Sequence, residues 1–345
     1  MKAKMGLARM AILSVAAVFL IYSSLWAAPI NLKIAHENAV NSAVQAQAEV
    51  FKELVEKRTK GEVQITIYPG GTLTASPEEL LEQMRNGAVD LSISSTGNSA
   101  GFLPDLQFLN LPFLFKSSEH LRAGLESYPV RTILDNFEKK VGVRAIALCE
   151  DGTGTCITSN KPINSFEDMK GFKIRCMMNP IFIDMYKAFG AAPTPIDWGE
   201  LYTALQMKAA EGQDNEPYLS YVTKFFEVQN CVAMTNHFWS GFMVLISKKK
   251  LESLTPEQRD IITQTAKETA AMQVEWNHLK GKWILEGLKK QGKTVTYPNM
   301  EPFIKASQQV YDIWFAKFPQ WKTWFDEIQA LDPNKVVPKA GLPKM

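Results

Sequence analysis

The chain has 345 residues, 46% of them hydrophobic and 21% charged, with a formal net charge of +2. A balance so near neutrality offers nucleic acid no electrostatic footing, so no nucleic-acid partner is expected, and the ordinary apolar fraction excludes a disordered or fibrous chain. The four cysteines include no paired C-x-x-C and the four histidines no pair at short ligand spacing, so neither a metal nor a cofactor is expected.

In chain order, the first feature is an address. Lys2, Lys4 and Arg9 precede an apolar run from Ala11 to Tyr22, and small residues from Ser23 to Ala28 surround a cleavage point after Ala27. This is the pattern of a cleaved export signal, the run being too short for a membrane span; an uncleaved anchor is the alternative. No later stretch is long and apolar enough to cross a bilayer, so a soluble exported protein is expected. What remains exceeds one typical domain and predicts two.

"INLKIA" (30–35) alternates as a strand, and 44–58 reads as a helix with Val50, Phe51, Leu54 and Val55 on one side. "EVQITIY" (62–68) alternates again. Ser76 then suits an N-cap, Pro77 the first helical position and Glu79 a capping box, with Gly87 stopping the helix before "VDLSIS" (89–94). Strand alternating with helix predicts an α/β domain with a largely parallel sheet.

A second α/β set starts near residue 143. "VRAIALC", "TCITS", "FKIRCM" and "VAMTN" read as strands, separated by helices over 181–189 and 199–208, the latter with Asp197 as N-cap and Glu200 at N3. Cys149 and Cys156 flank "EDGTG", where a short bridge is geometrically feasible, leaving Cys176 and Cys231 to each other or free; buried thiols fit equally well. Thr255 to Gln258 opens a capped helix over 256–290 with no interior proline, long enough to run from one domain to the other. The tail "YDIWFAKFPQWKTWF" (311–325) predicts amphipathic helix broken at Pro319.

Catalytic motifs do not surface. "PGGTLTAS" (69–76) lacks both the ending of a P-loop and the spacing of a dinucleotide site, and no G-x-S-x-G or H-E-x-x-H occurs. Polarity gathers instead at "EGQDN" (211–215), braced by Gly212 and Pro217, and at Arg175 on a strand whose other face carries Phe172, Ile174 and Cys176. Taken alone, such an arginine is more often a solvated or salt-bridged surface residue.

"KIR" (173–175), "GAAPTP" (190–195), "YTALQ" (202–206) and "GQDN" (212–215), in this order, closely resemble the signature of the solute-binding proteins of tripartite ATP-independent periplasmic (TRAP) transporters, of the DctP type. The likeness continues through "EVQITIYPGGTL", "QMRNGAVDLSIS", "LPFLF" and "KFFEVQNCVAMTNH", and so covers nearly the whole mature chain. It implies a two-domain periplasmic binding-protein fold with a ligand cleft between mixed, largely parallel sheets. The domains it implies are interleaved: 28–152 plus 241–280, and 153–240 plus 281–345. It also implies a non-enzymatic protein in the periplasm, expected as a monomer, which hands a small organic acid to the small and large integral-membrane subunits of a permease.

By resemblance, Arg175 falls where the family pairs an arginine with the ligand carboxylate, in keeping with the match between a planar guanidinium and two carboxylate oxygens. Asn215 falls where an asparagine hydrogen-bonds a ligand oxygen, and Trp198 where an aromatic lies against the ligand body. Glu37, Ser95 and Asn98 fall at cleft-facing strand ends of the first domain, while Phe238 and Trp239 lie near the domain crossing and within reach of the pocket. Three departures stand out. Glu216 occupies the place of the family's proline, with Pro217 one place later; Thr155 stands where some members carry a second arginine; and Met177 and Met178 follow Arg175 where polar side chains occur elsewhere. Together with the aromatics these suggest a keto or hydroxy acid with an apolar or aromatic body. A ligand receptor for a sensor and an exported enzyme acting on a small organic acid are the alternatives.

Overall fold

The computed structural model describes residues 28–74, 76–150, 154–239 and 241–332; the export signal expected over 1–27 lies outside them. Strands β1 (Ile30–Ala35), β2 (Val63–Tyr68), β3 (Leu91–Ser95) and β4 (Val143–Glu150) come first. They are followed by β5 (Cys156–Ser159), β6 (Lys173–Cys176), β7 (Ala192–Pro195), β8 (Gly212–Asn215), β9 (Cys231–Met234), β10 (Gly241–Ser247) and β11 (Thr294–Thr296). One sheet has the order β2-β1-β3-β10-β4 and the other β11-β9-β5-β8-β6-β7.

Both sheets are mixed. In the first, β1 runs parallel to β2 and β3, whereas β10 is antiparallel to β3 and β4. In the second, β6 is parallel to β7 and β8, and β9 to β11, whereas β5 is antiparallel to β8 and β9. The antiparallel strands are the two on which the chain arrives from the other sheet, β5 directly after β4 and β10 directly after β9. A short crossing enters the new sheet from the cleft side, so its strand runs against neighbours that point toward the cleft.

Local chemistry explains the helix starts. Ser42 caps Ala43–Arg58, Ser76 caps Pro77–Arg85, and Thr255 with Gln258 forms a complete capping box on Pro256–Lys290. At Ser76 the expected reciprocal half is replaced: its N–H donates to Thr74 Oγ1 (3.1 Å), and the Glu79 carboxylate accepts from that same hydroxyl (2.7 Å). The helix expected over 199–208 is shorter. Asp197 caps a 3-10 turn, Trp198–Glu200, and the α-helix covers only Leu201–Gln206 before Lys208 turns left-handed at φ 57°.

Leu32, Ile34, Val63, Ile65, Leu91 and Ile93 pack one face of the first sheet against Phe51 and Val55 of the first helix and Ile262, Ala266 and Ala270 of the long one. Val50, expected on that apolar side, is only half-buried. The same 35-residue helix ends with Ile284 and Leu288 packed beside Tyr218, Leu219 and Val232, so one rigid rod touches both domains. The tail forms Glu301–Lys317 and Gln320–Gln329 around Pro319, with Trp314 and Trp321 stacked at 5.5 Å. Its contacts cross the expected division: Trp321 Nε1 donates to Asp105 Oδ1 (2.8 Å), Tyr311 to Pro112 O (2.5 Å), and the His120 ring lies 2.7 Å from Ile328 O. All four cysteines are buried as thiols, so the bridge weighed for Cys149 and Cys156 does not form.

Candidate ligand-binding cleft

Strand β6 carries Arg175 beside Thr194 of β7 and Gln213 of β8. The strand begins exposed at Lys173 and is buried from Ile174 onward, Arg175 being only 2% exposed. Its Nε donates to Ile196 O at 2.9 Å, and among the described residues no carboxylate forms an ion pair with it. Burial lowers the guanidinium pKa, and the charges of Asp214 and Asp197 oppose that shift. A buried cation without a direct partner costs several kcal/mol, which makes this position a demand for an anion.

Behind Arg175 lies a polar group absent from the expected site. Asp214 is buried with neither carboxylate oxygen hydrogen-bonded, although the Tyr186 hydroxyl stands close enough to stabilise its charge. Burial pushes Asp214 up to about 6 against the pull of Arg175. Tyr186 Oη is 2.8 Å from His237 Nε2, and Thr235 Oγ1 is 2.7 Å from His237 Nδ1. Burial drives that imidazole down to about 3, so it is neutral, and its 3.9 Å approach to Asp214 is not an ion pair. Asp214 was visible in the polarity of "EGQDN"; Tyr186 and His237 carried no local signal.

Glu211, Gly212 and Gln213 of that stretch are framework. Gly212 is required by close approach, since a Cβ there would sit 2.5 Å from Thr158 O and 2.7 Å from the Phe172 ring. Gln213 donates to Thr158 Oγ1 (2.7 Å) and Ser220 Oγ (3.3 Å), and accepts from Asn215 Nδ2 (2.6 Å). Glu211 accepts from the Lys173 N–H at 2.9 Å. The displaced proline has a simple reason: Glu216 is the N-cap of Pro217–Val222, accepting from the Tyr218 and Leu219 N–H groups, with Pro217 at the first helical position.

From the first domain, Ser95 caps the turn Thr96–Ser99 by accepting from Asn98 N (3.1 Å), and Asn98 Nδ2 donates to Glu37 Oε1 (3.4 Å). Glu37 is 7% exposed, its Oε2 is without a partner, and burial raises its pKa to about 7. The domains meet here. Ser95 Oγ lies 4.0 Å from Met177 Sδ, Asn179 Nδ2 donates to Asn110 Oδ1 (3.2 Å), and Tyr218 donates to Asn41 O (2.9 Å). Asn38 and Ser42, Glu216 and Tyr218, and Gln273 and Asn277 of the long helix line a small cavity at this junction.

The remaining expected site residues divide. Trp198 is half-buried, edge-on to Phe225 at 6.0 Å, with its 3-10 turn next to Asp197. Thr155 donates to Phe238 O (2.5 Å), holding the chain that carries His237. Phe238 is core, 4.6 Å from Phe182, and Trp239 Nε1 donates to Phe115 O at 2.9 Å. Met178 is corrected: it is 64% exposed, and Met177 is the side chain directed at the first domain. Strand β6 ends at Cys176, and Asn179 caps the helix Pro180–Ala188; Met177, two places after Arg175, keeps the side of that arginine, and Met178 points out to solvent.

Residues 34–317 match the family described as bacterial extracellular solute-binding protein, family 7. The chain is 30% identical to the 2,3-diketo-L-gulonate-binding periplasmic protein YiaO of Escherichia coli over 84% of this chain and 88% of that one. It is 31% identical to the sialic acid-binding periplasmic protein SiaP of Vibrio cholerae over 81% and 87%. A TRAP periplasmic solute-binding protein from Bordetella, whose crystal structure has density assigned as pantoate, superimposes with a TM-score of 0.83 at 28% identity, over 88% of this chain and 99% of that one. Matched over most of its length in sequence and fold, the chain belongs to the TRAP transporter solute-binding proteins, a family of periplasmic ligand carriers for small acids and not of enzymes.

Proposed function

We propose that this protein captures a small organic acid whose carboxylate pairs with Arg175 and is hydrogen-bonded by Asn215. Its body lies against Trp198 and Met177, and Glu37, Ser95 and Asn98 close on it from the first domain. The observation that carries this reading is Arg175 itself, buried and without a direct counter-charge. The acids named for the relatives, diketogulonate, sialic acid and pantoate, support it. The half-buried Trp198 and Met177 favour a keto or hydroxy acid with an apolar flank. Ligand contacts on both domains are completed only on closure, so binding favours the closed form. The closed protein, a monomer after cleavage at Ala27, then delivers its cargo to the two membrane subunits of a TRAP permease. The domains divide at 152, 240 and 280 in this reading, which the membership of the two sheets supports, with the C-terminal helices bridging the division.

Thermal shifts of unfolded and refolded protein against aliphatic, aromatic and sugar-derived carboxylates test the reading, because a ligand that binds only the folded state raises its melting temperature. A saturable rise is expected with one class. Arg175→Ala should weaken it by about 2–5 kcal/mol, and Arg175→Lys should not restore it, since an ammonium cannot form the two parallel bonds. Unchanged binding by Arg175→Ala removes the carboxylate from this position.

A further inference from the structure

We propose that the outer face of the long helix from Trp276 to Trp283 is a membrane-docking surface whose partner is the anionic lipid surface of a bilayer. None of the side chains that form it belongs to the candidate cleft, so the surface is a second functional region, independent of which acid the protein carries.

The helix Pro256–Lys290 is covered differently along its length. Thr265, about three turns ahead of Trp276 on the same side, is buried and accepts from Arg58 Nη1 at 2.8 Å, and Glu268 pairs with Arg58 at 2.7 Å, so the helix Ala43–Arg58 lies over that side. Farther on, Trp276, Leu279 and Trp283 follow at spacings of three and four, which set them on one face, and they are 39%, 71% and 63% exposed. Asn277, Gly281 and Ile284 of the same turns are buried. The inward face is what folding requires; a second, outward apolar stripe with two indoles marks a contact with something outside the fold.

Charge and area choose the partner. Lys280 Nζ lies 5.0 Å from the Trp276 ring centre and 5.8 Å from that of Trp283, and Lys289 Nζ lies 5.2 Å from the ring of Tyr297, itself 64% exposed. From 276 to 290 the sequence sets Lys280, Lys282, Lys289 and Lys290 against one acid, Glu286; Glu275, just before, is half-buried and already engaged. Exposed indole and phenol rings with lysines beside them suit the headgroup layer, where rings sit at the acyl boundary and ammonium groups reach lipid phosphates. No helix of the described residues is long and apolar enough to cross a membrane, so this face lies on the bilayer. A second copy fits less well. The exposed parts of the two indoles amount to about one whole ring, roughly 250 Å², and even with Leu279 the patch falls well short of the about 800 Å² that each partner of a stable dimer buries. Self-pairing would also turn the lysines toward their own copies. Docking on lipid keeps the carrier at the bilayer and narrows its search for a membrane partner to two dimensions.

The test is co-sedimentation of the full mature chain with vesicles of phosphatidylglycerol and phosphatidylethanolamine, set against vesicles of phosphatidylcholine alone. Binding is expected to the anionic vesicles only, weakened by salt. It should fall roughly tenfold or more in Trp283→Ser and in the pair Lys280→Glu with Lys282→Glu, both of which keep the circular dichroism spectrum and cooperative melting of the unsubstituted protein. Lipids brominated in the upper acyl chain should quench part of the tryptophan emission, and that part should vanish when Trp276 and Trp283 are both replaced by phenylalanine. Equal binding to phosphatidylcholine, or binding that neither substitution weakens, overturns the proposal. So does a dimer in sedimentation equilibrium that Trp283→Ser dissolves while vesicles stay bare, which would assign the face to a second copy. Vesicle binding that appears only after removal of residues 333–345 overturns it in favour of the chain's own tail, and no binding to any vesicle overturns it outright.

Discussion

Arg175 and Asp214 show what burial does to a charge when its partner is held just out of reach. Arg175 is committed to one backbone carbonyl, and neither oxygen of the Asp214 carboxylate accepts a hydrogen bond, so both retain capacity that a well-packed core would have consumed. The consequence is measurable as pH dependence. Glu37 and Asp214 have folded pKa values of about 7 and about 6, above their ordinary 4.5 and 3.8. Between those limits the folded state binds more protons than the unfolded, so these two groups make the unliganded protein more stable as pH falls. His237 acts oppositely: the unfolded imidazole protonates near 6.5 and the folded one only near 3, so its contribution is lost as pH falls through that window. Glu37→Gln should therefore raise the melting temperature at pH 8, and the gain should shrink toward zero by pH 5. A gain that is constant with pH would show that Glu37 is not the group titrating.

At the scale of elements, β8 explains why "EGQDN" is polar and yet rigid. It lies between β5 and β6, and its second position carries Gln213, which ties Thr158 to Ser220. Gly212 lets the strand lie against Thr158 O and the Phe172 ring. Gly212→Ala should cost roughly 1–3 kcal/mol in urea unfolding, because the obstructing oxygen belongs to backbone and cannot swing aside. A change within error would mean that β5 shifts freely. The acidic cap at Glu216 with Pro217 behind it is an independent local device, and it accounts for the displaced proline without altering the strand.

For the whole molecule, the decisive feature is how closely the domains meet at Gly97. A Cβ there would lie 2.9 Å from Met177 Sδ and 3.1 Å from the Phe182 ring, both across the cleft. Gly97→Val should leave the separate domains folded but wedge the cleft, weakening ligand by an order of magnitude or so through loss of the closed state. Small-angle scattering should then show less ligand-induced contraction than for the unsubstituted protein; equal contraction would place closure elsewhere. The long helix Pro256–Lys290 packs on both domains, so closure must carry or bend that rod.

Sequence alone determined the elements whose causes are local: the alternation of β1, β2 and β4, the caps at Ser76 and Thr255, the uninterrupted long helix and the break at Pro319. The ordered motifs from "KIR" to "GQDN" also identified the family and singled out Arg175. It did not disclose β10 as the strand that completes the first sheet, or the tail helices bound to 105–120. Those outcomes depend on pairings between distant segments, which leave no periodicity in either partner. The same reason hid the cluster of Asp214, Tyr186 and His237 and the open oxygen of Glu37. Burial and proximity set the charge state of a carboxylate or imidazole, and both are properties of the folded neighbourhood rather than of the residue.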